Sequence, residues 1–239
     1  MREVAGTAVL ITGGSKGIGL ATAEALVDAG AHVAITARDA ELVRETAERL
    51  GARGGGRAIG VPTDVRDLAQ QEHAVAETLA AFGRLDALIA NAGVGRFGSI
   101  ADLSVEDWHT VIDTNLTGVF YSIKATLDAL TASQGTIVTI GSLAGANFFA
   151  GGSAYNASKF GLTGFTQAVM LDLRDRGIKV STIMPGSVAT SFGGREPSSA
   201  DAWKIQGEDI AEMVVYLLRT HPRALPSKIE VRPSRPPTR

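Results

Sequence analysis

Short, almost uninterrupted apolar runs recur along the chain at residues 7–12, 32–37, 59–63, 85–90, 136–140, 179–183 and 228–232. Runs of this length without an alternating polar face belong to strands buried on both sides, the state of a strand in a parallel sheet. Between them lie longer stretches with apolar positions three and four apart, the spacing of an amphipathic helix. That periodicity follows the first run through Leu26 and Val27, then covers residues 40–50, 67–81, 104–130, 155–168 and 209–218. Strand and helix in strict alternation predict an α/β chain built on a doubly wound parallel sheet, because parallel strands need long crossovers. Three stretches fall outside the pattern. Residues 51–56 form a glycine-rich connector, residues 190–208 a short substrate-side segment whose irregular part, 191–207, is expected to be mobile, and residues 233–239 a proline-rich end expected to be a loose tail.

Length and composition narrow the classes without choosing among them. The 239 residues suit a single α/β domain spanning residues 1–239, and a 45% hydrophobic fraction with 20% charged residues is that of a globular core-forming chain. A formal net charge of −2 leaves no electrostatic footprint for nucleic acid or an anionic membrane. The absence of cysteine removes disulfides and thiolate metal sites, and four scattered histidines form no metal-ligand pattern. The N-terminus carries Arg2 and Glu3 and runs directly into the first strand, with no signal-peptide pattern and no membrane-length apolar stretch. A cytoplasmic protein is the expectation.

The candidate chemistry begins at the end of the first strand, where Gly13-Gly14-Ser15-Lys16-Gly17-Ile18-Gly19 opens a helix. Strand, glycine turn and helix make a dinucleotide-binding opening: glycines permit close backbone approach, and the helix N-terminus offers free N–H groups to a pyrophosphate. The spacing is Gly-x-x-x-Gly-x-Gly. The end of the second strand bears on the cofactor, since a carboxylate there suits a ribose 2′-hydroxyl and a cation suits a 2′-phosphate. Arg38 stands there and Lys16 lies in the turn, which favours NADP(H) over NAD(H). Asp39 is the counter-candidate, though its place at the start of a helical stretch also reads as an N-cap. Asp64, followed by Val65 after the third strand, can accept from an adenine amine or cap the next helix. Asn91-Ala92-Gly93 after the fourth strand lets the chain pass close to a ribose, and Asn91 can also stitch strands together.

Ser142 follows the fifth strand, at the sheet edge where ligands of open α/β sheets collect. Tyr155 and Lys159, four apart in a helical stretch, fall on one face one turn apart. A phenol beside an ammonium is a proton-transfer device, because the positive charge favours the phenolate and moves the acid toward working pH. Ser142 would hold a carbonyl or alcohol oxygen beside that phenol. Asn115 occupies a helix interior, where asparagine is a mediocre helix former, so another interaction is expected to keep it there. Pro185-Gly186 and the following Val188 and Thr190 end the sixth strand, where glycine again allows close approach. Phe192 and Trp203 suit either a pocket wall or core packing.

With these residues in order, the chain resembles the short-chain dehydrogenase/reductase family over nearly its whole length. The resemblance rests on Thr12-Gly13 to Gly19, Asp64-Val65, Asn91-Ala92-Gly93, Asn115, Ser142, Tyr155-x-x-x-Lys159 and Pro185-Gly186. It implies a Rossmann-type sheet of seven parallel strands in an αβα sandwich, Tyr155 as general acid/base, Lys159 lowering its pKa and binding the nicotinamide ribose, Ser142 orienting the carbonyl, and Asn115 supporting a proton-relay water. It also implies a homo-oligomer, usually a tetramer packed through helices near residues 105–130 and 153–172, and at smallest a dimer. The expected activity is hydride exchange between NADP(H) and a small carbonyl or alcohol substrate, without a metal. A 3-oxoacyl-thioester reductase acting on acyl-carrier protein is the alternative within that chemistry, and a non-catalytic NADP-sensing regulator the alternative outside it. Two departures, Glu230-Val231-Arg232-Pro233 in place of a glycine pair and a short segment between Thr190 and Asp209, concern substrate and assembly.

Overall fold

The computed structural model describes residues 3–192, 194 and 196–235. Seven strands, β1 (Ala8–Thr12), β2 (His32–Ala37), β3 (Ala58–Pro62), β4 (Ala87–Ala90), β5 (Thr136–Ile140), β6 (Lys179–Pro185) and β7 (Lys228–Val231), form one sheet in the order β3-β2-β1-β4-β5-β6-β7. Every pairing is parallel. The chain therefore winds outward from β1 in one direction and then from β4 in the other. Their adjacent carboxyl ends flank the switch point, where an open sheet leaves a crevice.

The helices α1 (Gly17–Asp28), α2 (Ala40–Gly51), α3 (Leu68–Phe82), α4 (Val105–Ile112), α5 (Gly118–Ser133), α6 (Ser153–Asp172) and α7 (Gly207–Arg219) cover the two sheet faces. Strand periodicity divides the core between them. Val9, Ile11, Val33, Ile35 and Ile89 point to one side, with Leu26 and Val27 of α1 and Ile210, Val214 and Leu217 of α7. Leu10, Ala34 and Leu88 point to the other, with Val119, Ile123 and Leu130 of α5 and Leu162 of α6. Each fully buried Leu, Ile or Val contributes about 1.5–3 kcal/mol relative to exposure, so the sandwich is held chiefly by this doubly covered sheet. Among the described residues no helix is long and apolar enough to cross a membrane.

Several local expectations shift. Ser104 does cap α4, accepting from Asp107 N at 3.0 Å. The predicted helix over residues 104–130 is broken by a π-turn at Asp113–Thr117. Asp64 is not a helix cap: α3 is capped by Asp67, which accepts from Gln70 N at 3.2 Å. The segment expected to be mobile is anchored in its second half, where Val188 bridges Ile205, itself buried in the core, and the buried Asp201 accepts from Ser198 N at 3.0 Å. A Cβ on Gly186 would lie 3.2 Å from Pro233 Cδ, so the first residues after β7 continue alongside the end of β6. Residues 193, 195 and 236–239 lie outside the described part, including the end of the expected tail.

Candidate active site

The β1–α1 turn forms one end of the crevice. Gly13 has φ +67°, where a side chain is strained, and a Cβ there would also lie 2.9 Å from Ala92 Cα. A Cβ on Gly19 would collide with the Gly13 carbonyl oxygen and the Asn91 amide. Glycine at these positions is what lets the turn fold against β4. Lys16, the N-cap of α1, makes no side-chain cap hydrogen bond, so the first-turn N–H groups are left to an outside acceptor. Asn91 stitches the strands as expected: its Nδ2 donates to Thr12 O at 2.9 Å and Gly13 O at 3.0 Å, while Thr12 Oγ1 accepts from Asn91 N and Ala92 N, each at 3.1 Å.

At the rim of this end, Asp39 caps α2 by accepting from Leu42 N at 3.0 Å, which is the N-cap alternative for that residue. Asp64 is clamped by Arg66, with Nη2 to Oδ2 at 2.6 Å and the Arg66 backbone N–H donating at 3.0 Å. That guanidinium holds the Asp64 carboxyl below the usual carboxylate range. Sequence reading missed Arg66, although an Arg two residues from a strand-end Asp is the signal that could have found it.

The other end is assembled from four distant segments. Asn115 sits in the π-turn, fully buried, with Oδ1 accepting from Val94 N at 2.8 Å and Nδ2 donating to Val94 O at 2.9 Å and Ser158 Oγ at 3.1 Å. The interaction that keeps asparagine in this helical stretch is thus a clamp on the loop after β4. A widened turn is a known way for a helix to free such a group. Ser158 passes the link on, donating to Tyr155 O at 2.8 Å. A Cβ on Gly93 would stand 3.3 Å from Asn115 Oδ1 and 3.9 Å from Lys159 Nζ, so these groups converge.

Ser142 lies just after β5, its Oγ accepting from Ala144 N at 3.1 Å, and its hydroxyl stands close enough to the Tyr155 phenol to act on its ionisation. Asn156, unremarked in the sequence, donates to Ala144 O and Asn147 O at 2.8 Å each and ties the loop after Ser142 to α6. Lys159 Nζ donates to Ile140 O at 3.0 Å and stands 5.8 Å from the centre of the Tyr155 ring. Burial lowers the Lys159 pKa to about 8, since a desolvated ammonium is disfavoured. Burial pushes the Tyr155 phenol above its ordinary value, and the nearby Ser142 hydroxyl pulls it back only in part. The expected lowering of the phenol by Lys159 is not found here: desolvation raises it, and the lysine donates to the Ile140 carbonyl instead.

One cavity of about 1610 Å³ joins the two ends. It is larger than the roughly 300–1,000 Å³ of a common small-molecule pocket and has room for a dinucleotide with a second ligand. Gly13, Ser15, Lys16, Gly17, Ile18, Arg38, Asp64, Val65, Asn91, Ala92, Gly93, Ser142, Tyr155, Lys159, Pro185, Gly186, Val188 and Thr190 all line it. Of the site residues expected from sequence, Gly19 and Asn115 alone do not reach its surface, and both act from beneath. Glycine cradle and uncapped helix start together fit a nicotinamide dinucleotide. Phe192 and Trp203 also line the cavity, which decides for the pocket wall at both positions.

The sequence model described as short chain dehydrogenase matches residues 7–200. Among curated relatives, the glycine betaine reductase of Emericella nidulans is 33% identical over 96% of this chain, but the chain spans only 19% of that protein. The trans-4-hydroxycyclohexanecarboxylate dehydrogenase of Sinomonas cyclohexanicum is 34% identical over 90% of this chain and 86% of the relative. The 3-oxoacyl-[acyl-carrier-protein] reductase of a Synechocystis species is 36% identical over 80% and 78%. Among solved structures, an alcohol dehydrogenase from the archaeon Thermococcus sibiricus complexed with 5-hydroxy-NADP superposes with a TM-score of 0.90 at 29% identity, covering 96% of this chain and 98% of the other. A metagenomic short-chain oxidoreductase in complex with NADP gives a TM-score of 0.85 at 34% identity, covering 98% and 100%.

Proposed function

This chain belongs to the short-chain dehydrogenase/reductase family, and from that premise we propose that it is an NADP(H)-dependent oxidoreductase interconverting a ketone or aldehyde with its alcohol. The observation that carries the reading is that Ser142, Tyr155 and Lys159 line the same cavity as the glycine turn. Lys16 and Arg38 at the opposite end supply the cations that a 2′-phosphate needs, in agreement with the NADP complexes of similar proteins.

The β1–α1 turn and the first turn of α1 would hold the pyrophosphate, Arg38 and Lys16 the 2′-phosphate, Asn91 to Gly93 and Lys159 the nicotinamide ribose, and Pro185 to Thr190 the nicotinamide side. When bound, the reduced cofactor supplies a hydride to the carbonyl carbon. Ser142 donates a hydrogen bond to the carbonyl oxygen and fixes its direction. Tyr155 then gives its proton to the oxygen as negative charge develops there. Burial keeps the phenol protonated through the neutral range, which is the form a proton donor needs. Asn115 positions this machinery by clamping the Val94 loop and the start of α6, and offers the site for a relay water.

The same reading includes work in the cytoplasm and assembly into a homo-oligomer. Val105, Trp108, Phe120, Phe160 and Leu171 expose large apolar side chains along α4, α5 and α6, as helices that bury one another in a tetramer or dimer would. Light scattering on the purified chain tests this: a tetramer or dimer mass is expected, and a monomer would remove it. The second reading, a 3-oxoacyl-thioester reductase, is favoured by the Synechocystis relative. Following NADPH absorbance with ketones, aldehydes, hydroxy acids and acyl thioesters tests the whole. Consumption with at least one carbonyl is expected, and failure with every class under saturating NADPH would overturn the activity.

A further inference from the structure

Two phenylalanines from different loops pack against the Tyr155 ring, and a third, from another loop, packs against one of them. Phe97 meets the Tyr155 ring edge-on at 5.4 Å between centres, with planes at 65°, and Phe192 lies at 5.8 Å and 57°. Phe149 in turn lies 6.0 Å from Phe97. All three remain 44–53% exposed, and the exposed rings line the cavity. Large apolar groups left open beside the Ser142 and Tyr155 hydroxyls are informative in a way that scattered surface phenylalanines are not.

Their seats are built into the backbone. A Cβ on Gly95 would come within 2.7 Å of Phe97 Cε2 and 2.8 Å of Phe192 Cε1, so both rings rest on one glycine. A Cβ on Gly152 would come within 2.6 Å of Phe149 Cε2. Gly98 N donates to Gly151 O at 2.9 Å, joining the loop of Phe97 to that of Phe149. The wall is therefore tied together before any ligand enters. Two cationic groups of the lining are engaged elsewhere, Lys204 with Asp201 at 2.7 Å and Arg232 with Glu230 at 3.2 Å.

Resting on the carbonyl-reductase reading and naming its substrate class, we propose that the physiological substrate is an aryl ketone, whose ring fills the space between Phe97, Phe149 and Phe192. A carbonyl oxygen held by Ser142 and Tyr155 leaves the group on its carbon facing those rings. An aromatic group there gains edge-to-face contacts that a short aliphatic or anionic group does not. The chemistry balances: the carbonyl π bond breaks, the carbon gains hydride from NADPH, which is oxidised to NADP⁺, and the oxygen gains the Tyr155 proton.

The test compares kcat/KM for acetophenone, butan-2-one and the acetoacetyl thioester of coenzyme A. Acetophenone is expected to lead by about tenfold or more. Phe97→Ala and Phe192→Ala should bring its ratio to butan-2-one toward one while NADPH affinity persists as the check on folding. Phe97→Leu, which keeps an apolar side chain, should lower the ratio as well, and an unchanged ratio would overturn the aromatic assignment. Equal or better turnover of butan-2-one or the thioester would also overturn it. If no carbonyl is reduced, the enzymatic reading fails, and calorimetric titration of 1-phenylethanol against butan-2-ol into the NADP⁺-loaded chain still decides the pocket: about tenfold tighter binding of the aryl alcohol supports it, and equal or absent binding sinks it.

Discussion

The two ends of the crevice are built in opposite ways. The dinucleotide end is centred on seven consecutive residues, Gly13 to Gly19, whose backbone freedom and helix start are local properties, with Asn91 bracing the turn. The catalytic end has no local existence. Asn115 comes from a π-turn, Ser142 from the end of β5, Tyr155 and Lys159 from α6 and Val94 from the loop after β4, and Asn115, Val94 and Lys159 are each held by a bond to another segment. A site made locally depends on what fits the turn. A site made from distant segments depends on burial, and it is there that the ionisation of Tyr155 and Lys159 is displaced.

That contrast predicts separable failures. Tyr155→Phe should lower kcat by about 10²–10⁴-fold, the usual weight of a general acid, with NADPH affinity nearly intact. Single-turnover kinetics with fluorescence titration would read both, and a strongly active variant removes Tyr155 from its role. Gly19→Ala should act on the other end, weakening NADPH binding by about a hundredfold or more because its methyl group meets the Gly13 carbonyl. Far-UV circular dichroism would show whether the sheet survives, and unchanged affinity would break the cradle assignment. Arg38→Asp should shift the NADPH-to-NADH preference by about ten- to a hundredfold, the worth of a hydrogen bond to a charged group. An unshifted ratio returns the choice to Asp39.

The smallest effect concerns stability. The folded Lys159 pKa of about 8 lies below its ordinary 10.5. Between those values the unfolded chain binds the extra proton, so this residue makes stability rise with pH from about 8 to about 10. Above that range Tyr155, raised by burial, works in the opposite sense, because there the folded chain holds the proton. Urea midpoints of wild type and Lys159→Met without cofactor, taken from pH 7 to pH 10, should converge as pH rises. A constant gap would mean that the amine is not desolvated as described.

The strands, the alternation of strand with helix and the glycine turn were legible because they rest on periodicity and on steric rules that act over a few residues, whereas the order of the strands in the sheet came from the structure. So was the Ser104 cap. Asp64 was not legible, since an Asp at a strand end looks the same whether it caps a helix or is clamped by an arginine, and the neighbouring Asp67 took the cap. The irregular stretch around residues 196–205 misled because it lacks a period, yet the single apolar side chain of Ile205 docks it to the core.

By itself the sequence determined the alternation of strands and helices, the place of the turn that can accept a phosphate, and the residue types available for proton transfer. These follow from side-chain size, backbone freedom and spacing along one chain. Only the tertiary structure decided that Asn115 is a clamp, that Lys159 faces a carbonyl, and that phenylalanines from three loops form an aromatic wall beside Tyr155. Those outcomes depend on which distant groups lose their water together, and desolvation is a property of the packed interior that no short stretch contains.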